Sequence, residues 1–256
     1  MAIPGLGLVA ETVRRFAPAN EADTFDMEYW SLEQAKLGKG SEKPLVRQVV
    51  LVTGGAGAIG AATARAFAAQ GAAVVVLDLD PVADVATAEA IAAGGGAGAL
   101  GIGCDLTDPS AVRQAFAAAC IQFGGLDIVV SNAGAAWTGA IADLPDTDLR
   151  ASFELNLFAH QTVAQAAVAV FRAQGFGGQL LFNVSKQALP RPRLRRLQER
   201  SGARSVSEEV YMAGNLLGRE VRASDVADAF VALAKLERST GAVLTVDGGK
   251  VAGMVS

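Results

Sequence analysis

The hydrophobic pattern of the chain predicts buried strands that alternate with helices. Short runs of Val, Ile and Leu are typical of parallel strands that are covered on both faces. Four such runs lie at 48–52, 73–79, 126–132 and 179–185, and weaker runs lie at 99–106 and 242–249. Helical stretches separate these runs at about 58–70, 81–93, 109–123, 146–174 and 223–237. The alternation predicts βαβ units and a doubly wound parallel α/β sheet.

Composition limits the kinds of protein that this chain can be. Of its 256 residues, 51% are hydrophobic and 19% are charged, which is too apolar for a disordered chain. No apolar run approaches the roughly 18 residues that a membrane span needs. The first residues also lack the basic start of a signal peptide. We therefore expect a cytoplasmic protein that does not bind a membrane.

Cysteine, histidine and charge exclude further classes of protein. Cys104 and Cys120 are too few for a disulfide framework and lack metal-ligand spacing, and His160 is the only histidine. We therefore expect no metal site. The formal net charge of −4 argues against nucleic acid as a partner. A basic run at 186–204 is interpreted as a solvated helix face, and binding of a polyanion there is the less favoured alternative.

The composition changes near residue 44. Residues 1–44 hold the segment FDMEYWSLEQAKL at 25–37 and end in a polar linker. Such a segment is too short to bury a core by itself. We predict an N-terminal extension over 1–44 and one dinucleotide-binding domain over 45–256.

A glycine-rich turn follows the first predicted strand directly. Gly55, Gly57 and Gly60 satisfy G-x-G-x-x-G between a strand and an Ala-rich helix. Glycines let the backbone approach a pyrophosphate, and the helix N-terminus offers free N–H groups. Asp78 ends the next strand, where its carboxylate can accept hydrogen bonds from an adenosine ribose and repel a 2′-phosphate. These residues predict NAD as the cofactor, in preference to NADP.

Six motifs in order make the chain resemble the short-chain dehydrogenase/reductase family, which has a Rossmann-like sheet. TGGAGAIG at 53–60 resembles the family's T-G-x-x-x-G-x-G, with Ala58 in place of the middle glycine. Asp105 and Leu106 match the family's pair beside the adenine, and Asn132-Ala133-Gly134 matches its N-A-G motif. Asn156 matches the family's helix asparagine, and Ser185 matches the serine that holds the substrate. The end of the chain, TGAVLTVDGG, is similar to the family's last strand.

The resemblance implies a cofactor site and part of a catalytic site. Cofactor binding falls to Gly54, Gly57, Ile59, Gly60, Asp78, Asp105, Leu106, Asn132, Ala133 and Gly134. Ser185 would hold the oxygen of a small-molecule substrate, and Asn156 would order a water that relays protons. The implied activity is NAD-dependent oxidation of a small alcohol or reduction of an aldehyde.

A narrower group is also similar, namely proteins that join a class II aldolase to a C-terminal dehydrogenase, of the rhamnulose-1-phosphate aldolase type. The segment FDMEYWSLEQAKL at 25–37 looks like this group, and residues 2–10 are similar to the end of its aldolase domain. In that group the dehydrogenase is associated with oxidation of lactaldehyde or a related small product.

The chain departs from the family where the acid/base residues should lie. The family's Y-x-x-x-K is absent, because Tyr29 lies in the extension and Tyr211 is followed four residues later by Asn215. A late helix–strand unit of about 30 residues is missing between 188 and 205. Without this unit the sheet must close up or leave an exposed edge. In the family the missing helix also builds much of the dimer interface, and a homo-oligomer stays open for this chain. The alternative hypothesis is a protein that binds NAD without turnover.

Overall fold

Five parallel strands form the sheet at the centre of the described part of the chain. The computed structural model describes residues 42–137, 143–184, 217 and 219–248. Residues Lys43–Ser256 form one compact unit, to which all described residues except Glu42 belong. The strands are β1 (Val49–Thr53), β2 (Ala73–Asp78), β3 (Ala99–Gly103), β4 (Ile128–Ser131) and β5 (Gln179–Phe182). The predicted runs at 48–52, 73–79, 99–106, 126–132 and 179–185 therefore form strands, although the ladders are shorter than several of the runs.

The strand order is β3-β2-β1-β4-β5. Every neighbouring pair is parallel. The chain first adds strands on one side of β1 and then, from β4 onward, on the other side. This reversal leaves a crevice beyond the carboxyl ends of β1 and β4, where parallel α/β proteins bind their ligands. The predicted doubly wound parallel sheet is confirmed.

Helices cover both faces of the sheet. They are α1 (Ala58–Ala69), α2 (Pro81–Ala93), α3 (Pro109–Phe123), α4 (Asp146–Phe153), α5 (Ala159–Gln174) and α6 (Ala223–Ala234). Leu51 of β1 packs in a cluster with Phe116 of α3 and with α5. Its neighbour Val52 points to the opposite face and packs with Phe67 of α1 and Phe230 of α6. Because successive residues of a strand point to opposite faces, a wholly apolar strand fills two cores at once.

The helical stretch predicted over 146–174 contains an irregular turn. A π-helical segment, Glu154–Phe158, joins α4 to α5 without a break in the chain's helical course. Such π-helical turns are rare and occur frequently at functional sites. Hydrophobic periodicity does not reveal one, since a single inserted residue changes the pattern little.

The last predicted strand is wrong. Residues 242–248 are described and form no strand, and Val243 is 89% exposed. A strand needs a neighbour for its backbone hydrogen bonds, and within the described ranges β5 is the last strand on its side of the sheet. The apolar character of the segment AVLTV at 242–246 is therefore not sufficient to make it a strand. The predicted missing unit, between 188 and 205, lies outside the described residues.

None of the described helices combines the length and the apolar character that crossing a membrane requires.

Candidate active site

The turn between β1 and α1 is tightly packed against the loop after β4. Gly54 has a φ of +62°, and a Cβ there would lie 2.8 Å from the Cα of Ala133. A Cβ on Gly60 would lie only 2.0 Å from the carbonyl oxygen of Gly54. The first turn of α1 therefore rests on the backbone of the strand–helix turn, which glycine alone permits.

The N-terminus of α1 is left open. Gly57 is its N-cap, no side chain caps it, and its first turn carries no acidic residue. By contrast, α2 and α3 are capped by the carboxylates of Asp80 and Asp108. The N-terminal N–H groups of a helix and its dipole favour an anion, so the uncapped end of α1 suits a phosphate group. Ile59 lies in this first turn and is half-buried.

Asp78 ends β2 beside the glycine turn. Its Oδ2 accepts a hydrogen bond from the N–H of Ala56 at 3.1 Å, and its Oδ1 accepts one from its own neighbour, Leu79, at 2.8 Å. The side chain is half-buried. The structure thus brings the predicted ribose-binding carboxylate to the turn predicted to bind the pyrophosphate.

Asn132 joins three strands at their carboxyl ends. Its side-chain Nδ2 donates to the carbonyl oxygen of Thr53 at 3.0 Å, and its Oδ1 accepts from Nδ2 of Asn183 at 2.8 Å. The hydroxyl of Thr53 accepts from the backbone N–H groups of Asn132 and Ala133, at 2.9 and 3.0 Å. These bonds fix the crevice between β1, β4 and β5. Sequence reasoning missed Asn183, although it lies two residues before Ser185.

Asn156 lies within the π-helical segment and bonds to the chain after β4. Its Nδ2 donates to the carbonyl oxygen of Ala135 at 2.9 Å, and its Oδ1 accepts from the N–H of Ala135 at 3.1 Å. Nδ2 also donates to the hydroxyl of Ser152 at 3.1 Å. A Cβ on Gly134 would lie 3.0 Å from Oδ1, so the helix and the N-A-G loop are in direct contact.

The adenine-side pair divides between surface and core. Asp105 is exposed, and its Oδ1 accepts from the N–H and the hydroxyl of Thr107, at 2.9 and 2.7 Å. Leu106 is buried in the cluster beneath α3. The strand β3 ends before this pair, so both residues lie in the loop that follows it.

A second polar pair lies beneath this crevice. The hydroxyl of Ser131 and Nδ1 of His160 are 2.6 Å apart, and Ser131 is fully buried. The ring of His160 packs 6.1 Å from that of Phe182, measured between centroids. Burial lowers the pKa of His160, which favours a neutral ring at neutral pH. The pair links α5 to β4, one helical turn beyond Asn156.

The sequence pattern of the family described as short chain dehydrogenase matches residues 48–193. The chain belongs to the short-chain dehydrogenase/reductase family. A second pattern, that of the second domain of class II aldolases, matches residues 7–37. The two matches together confirm the resemblance to proteins that join a class II aldolase to a short-chain dehydrogenase.

Individual relatives agree with this assignment. The uncharacterised oxidoreductase YuxG of Bacillus subtilis (strain 168) is 30% identical over 94% of this chain and 43% of its own length. D-threitol dehydrogenase of Mycolicibacterium smegmatis is 37% identical over 55% of this chain and 53% of its own length. The chain therefore spans about half the length of these curated relatives. The alignment with YuxG covers 298 positions, more than the 256 residues of this chain, so YuxG has residues there that this chain lacks.

A solved structure has the same fold. It is the crystal structure of a short-chain type dehydrogenase/reductase from Mycobacterium marinum, which superimposes with a TM-score of 0.70. The match covers 82% of this chain and 97% of that one, at 24% sequence identity. Identity at this level supports the fold alone.

The residues of this chain fit the nicotinamide dinucleotide that the short-chain dehydrogenase/reductase family generally uses. The cradle at Gly60 and the uncapped α1 suit a pyrophosphate, and the carboxylate of Asp78 suits ribose hydroxyls. Ser185, Tyr211 and the basic run at 186–204 lie outside the described residues. Within the described ranges, no group of three or more His, Cys, Asp and Glu side chains could hold a metal ion.

Proposed function

We propose that this chain binds NAD and acts as an NAD-dependent oxidoreductase on a small alcohol or aldehyde. The position of the Asp78 carboxylate, 3.1 Å from the Ala56 N–H of the glycine turn, is the observation that carries the choice of NAD. Ribose hydroxyls can donate to this carboxylate, whereas a 2′-phosphate would meet its negative charge. Repulsion between two such charges at contact distance is about 1–4 kcal/mol, which is enough to decide between the two nucleotides.

Each of the candidate residues has a separate task in this proposal. The turn Gly54–Gly60 and the N-terminus of α1 would hold the pyrophosphate, with Asp78 on the adenosine ribose. The loop after β3 would flank the adenine with Asp105 and Leu106. Asn132, Ala133 and Gly134 would line the nicotinamide side of the crevice.

The bound nicotinamide would supply the chemistry of hydride transfer. Ser185 would donate a hydrogen bond to the substrate oxygen and hold it in place. Asn156, whose polar atoms hold the backbone of Ala135, would keep the helix against the N-A-G loop and order a water for proton transfer.

Two observations support a small polar substrate. One relative is named as a dehydrogenase of D-threitol and another as an L-rhamnose 1-dehydrogenase. The aldolase pattern at residues 7–37 favours a short aldehyde, since class II aldolases in the similar bifunctional proteins release one. We therefore propose a lactaldehyde-like compound as the substrate class.

Replacement of Asp78 by alanine tests the choice of cofactor. We expect NADH binding to weaken by about tenfold, because the ribose loses an acceptor worth about 1–1.5 kcal/mol. Binding of NADPH should weaken less or improve, since the repelling charge is gone. Titration of nicotinamide fluorescence measures both dissociation constants. Glu89→Ala is the matched control, as it removes an exposed acid from α2 away from the turn. Equal loss of both nucleotides would contradict the ribose assignment.

Binding of NAD without turnover is the second candidate function. It is favoured by the sequence, which contains no Y-x-x-x-K to supply the family's acid/base pair. The two candidates share the nucleotide site and differ in turnover. Incubation with NAD and lactaldehyde, followed at the absorbance of NADH, distinguishes them. Saturable NADH binding without turnover above background favours the second candidate. Turnover that Tyr211→Phe abolishes favours the first and identifies Tyr211 as the acid/base.

A further inference from the structure

A buried carboxylate lies directly behind Asp78. Asp84, in the first turn of α2, has 0% of its surface exposed. Its Oδ2 accepts the backbone N–H of Asp78 at 3.0 Å. Its Oδ1 is buried and has no hydrogen-bond partner. A buried acid that satisfies only one of its oxygens is costly, so its presence calls for an explanation.

The hydrogen bonds around Asp84 form a continuous path to the glycine turn. Asp84 holds the backbone of Asp78, and the side chain of Asp78 in turn holds the N–H of Ala56. A shift of Asp84 would therefore move the carboxylate that faces the adenosine ribose.

The surrounding structure prevents Asp84 from moving away. Asp80 caps α2 by accepting the N–H groups of Val82 and Ala83, at 3.0 and 3.2 Å. A Cβ on Gly101 of β3 would lie 2.5 Å from the backbone carbonyl carbon of Asp84. The start of α2 thus rests directly on β3, and the glycine is what allows this approach.

The charged groups that face Asp84 are acidic. Asp78 approaches it from β2 and Asp80 from the N-cap of α2, and both carboxylates disfavour its negative charge, whereas the hydrogen bond from the Asp78 N–H favours it. Cys104, in the loop after β3, is kept protonated because burial, with Asp105 and Asp108 next, raises the pKa of its thiol to about 11. Burial is the largest cause that raises the pKa of Asp84, to about 7. The proton of Asp84 is therefore exchanged within the neutral pH range.

We propose that Asp84 is a positioning residue for Asp78 and that its charge tunes how strongly the adenosine end of the site rejects a 2′-phosphate. The inference rests on the proposed function in one respect, namely that Asp78 faces the adenosine ribose. When Asp84 loses its proton, a second negative charge lies behind Asp78. Discrimination against NADPH then increases with pH, without any change in the residues that touch the nucleotide.

The test compares wild-type protein with Asp84→Asn. The variant keeps an amide oxygen that can accept the N–H of Asp78, and it cannot ionise. Dissociation constants for NADH and NADPH are measured by nicotinamide fluorescence at about pH 6 and about pH 8.5. The 2′-phosphate itself gains charge near pH 6, and both proteins share that contribution. We expect the ratio of the NADPH dissociation constant to the NADH dissociation constant to rise from the lower to the higher pH in wild type. This rise should be about three- to tenfold larger in wild type than in the variant.

Further measurements separate the possible outcomes. Asp84→Ala should weaken NADH binding at both pH values, while Asp84→Asn restores it, because only asparagine retains the acceptor for Asp78. Should Asp84→Asn fail to fold, carbon NMR of the aspartate carboxyls in wild type replaces it. The Asp84 signal should then titrate near neutral pH, with a midpoint that NADPH raises more than NADH does.

Two results would overturn the inference in distinguishable ways. A ratio of NADPH to NADH dissociation constants that changes equally with pH in wild type and Asp84→Asn contradicts the role of Asp84 and leaves the proposed function intact. A folded wild type that binds neither nucleotide contradicts the proposed function, and this inference falls with it.

Discussion

Replacement of Gly60 by alanine should weaken NADH binding by about 30- to 150-fold in a protein that still folds. The new Cβ would lie 2.0 Å from the carbonyl oxygen of Gly54, and a backbone atom cannot rotate out of the way as a side chain can. The turn must therefore move away from α1, and the cradle for the pyrophosphate opens. We expect a loss of about 2–3 kcal/mol in binding free energy, which corresponds to a dissociation constant about 30 to 150 times larger. Overpacking of this kind costs a further 1–3 kcal/mol or so in stability.

Gly96→Ala is the matched control for this experiment. Its Cβ would meet nothing closer than 3.4 Å, and the residue lies in the α2–β3 loop at the opposite edge of the sheet. Circular dichroism establishes that both variants are folded, and nicotinamide fluorescence gives their affinities. NADH affinity within about twofold of wild type in folded Gly60→Ala would show that the turn is not the pyrophosphate site.

The pH dependence of stability should change when Asp84 is replaced by asparagine. The pKa of Asp84 is about 7 in the folded protein, against an ordinary value of 3.8. Between these values the folded protein holds a proton that the unfolded chain releases, so the Asp84 contribution to stability falls as the pH rises toward 7 and is constant above it. Asparagine lacks this contribution. The free energy of unfolding of the variant minus that of wild type should therefore increase by about 4 kcal/mol from pH 4 to pH 8.

Urea denaturation at several pH values measures this difference. The comparison across pH cancels the constant cost of burying an amide in place of a carboxyl. Glu89→Gln serves as the control, because it removes an exposed carboxylate from the same helix. A difference for Asp84→Asn that does not vary with pH would mean that Asp84 is already ionised at acidic pH in the folded protein.

Much of the fold could be predicted because its strands are covered on both faces. The runs VVLV in β1 and AVVVL in β2 are wholly apolar up to the last residue of each strand, and burial of every position in β1 confirms the reason. The turn after β1 was predictable because close backbone approach demands glycine in a fixed order. The candidate site is less complete: Asn156, Asn132 and Asp78 were identified through motifs, whereas Ser185 lies outside the described residues.

Other features depended on neighbours that are distant in sequence. Asp84 is four residues before Ala88 and seven before Ile91, so it shares the buried face of α2 with them. This spacing indicates a shared helix face, but only the packing of α2 on β3 shows that an acid there is fully buried. Asn183 likewise has a role in the crevice only through its hydrogen bond to Asn132, a residue 51 positions away in the sequence.

The sequence by itself determined the family, the parallel sheet and the glycine turn, because each follows from local residue choice: buried apolar runs make strands, and glycine alone allows the turn. The tertiary structure decided which apolar runs become strands and which polar groups act together. AVLTV has the composition of a strand but remains outside the sheet, since a strand exists only where a neighbour completes its hydrogen bonds. In the sequence, Asp84 does not differ from any other acidic residue of a helix. In the tertiary structure β3 and Asp78 surround it, and the energy of a charge depends on its surroundings and not on the residue alone.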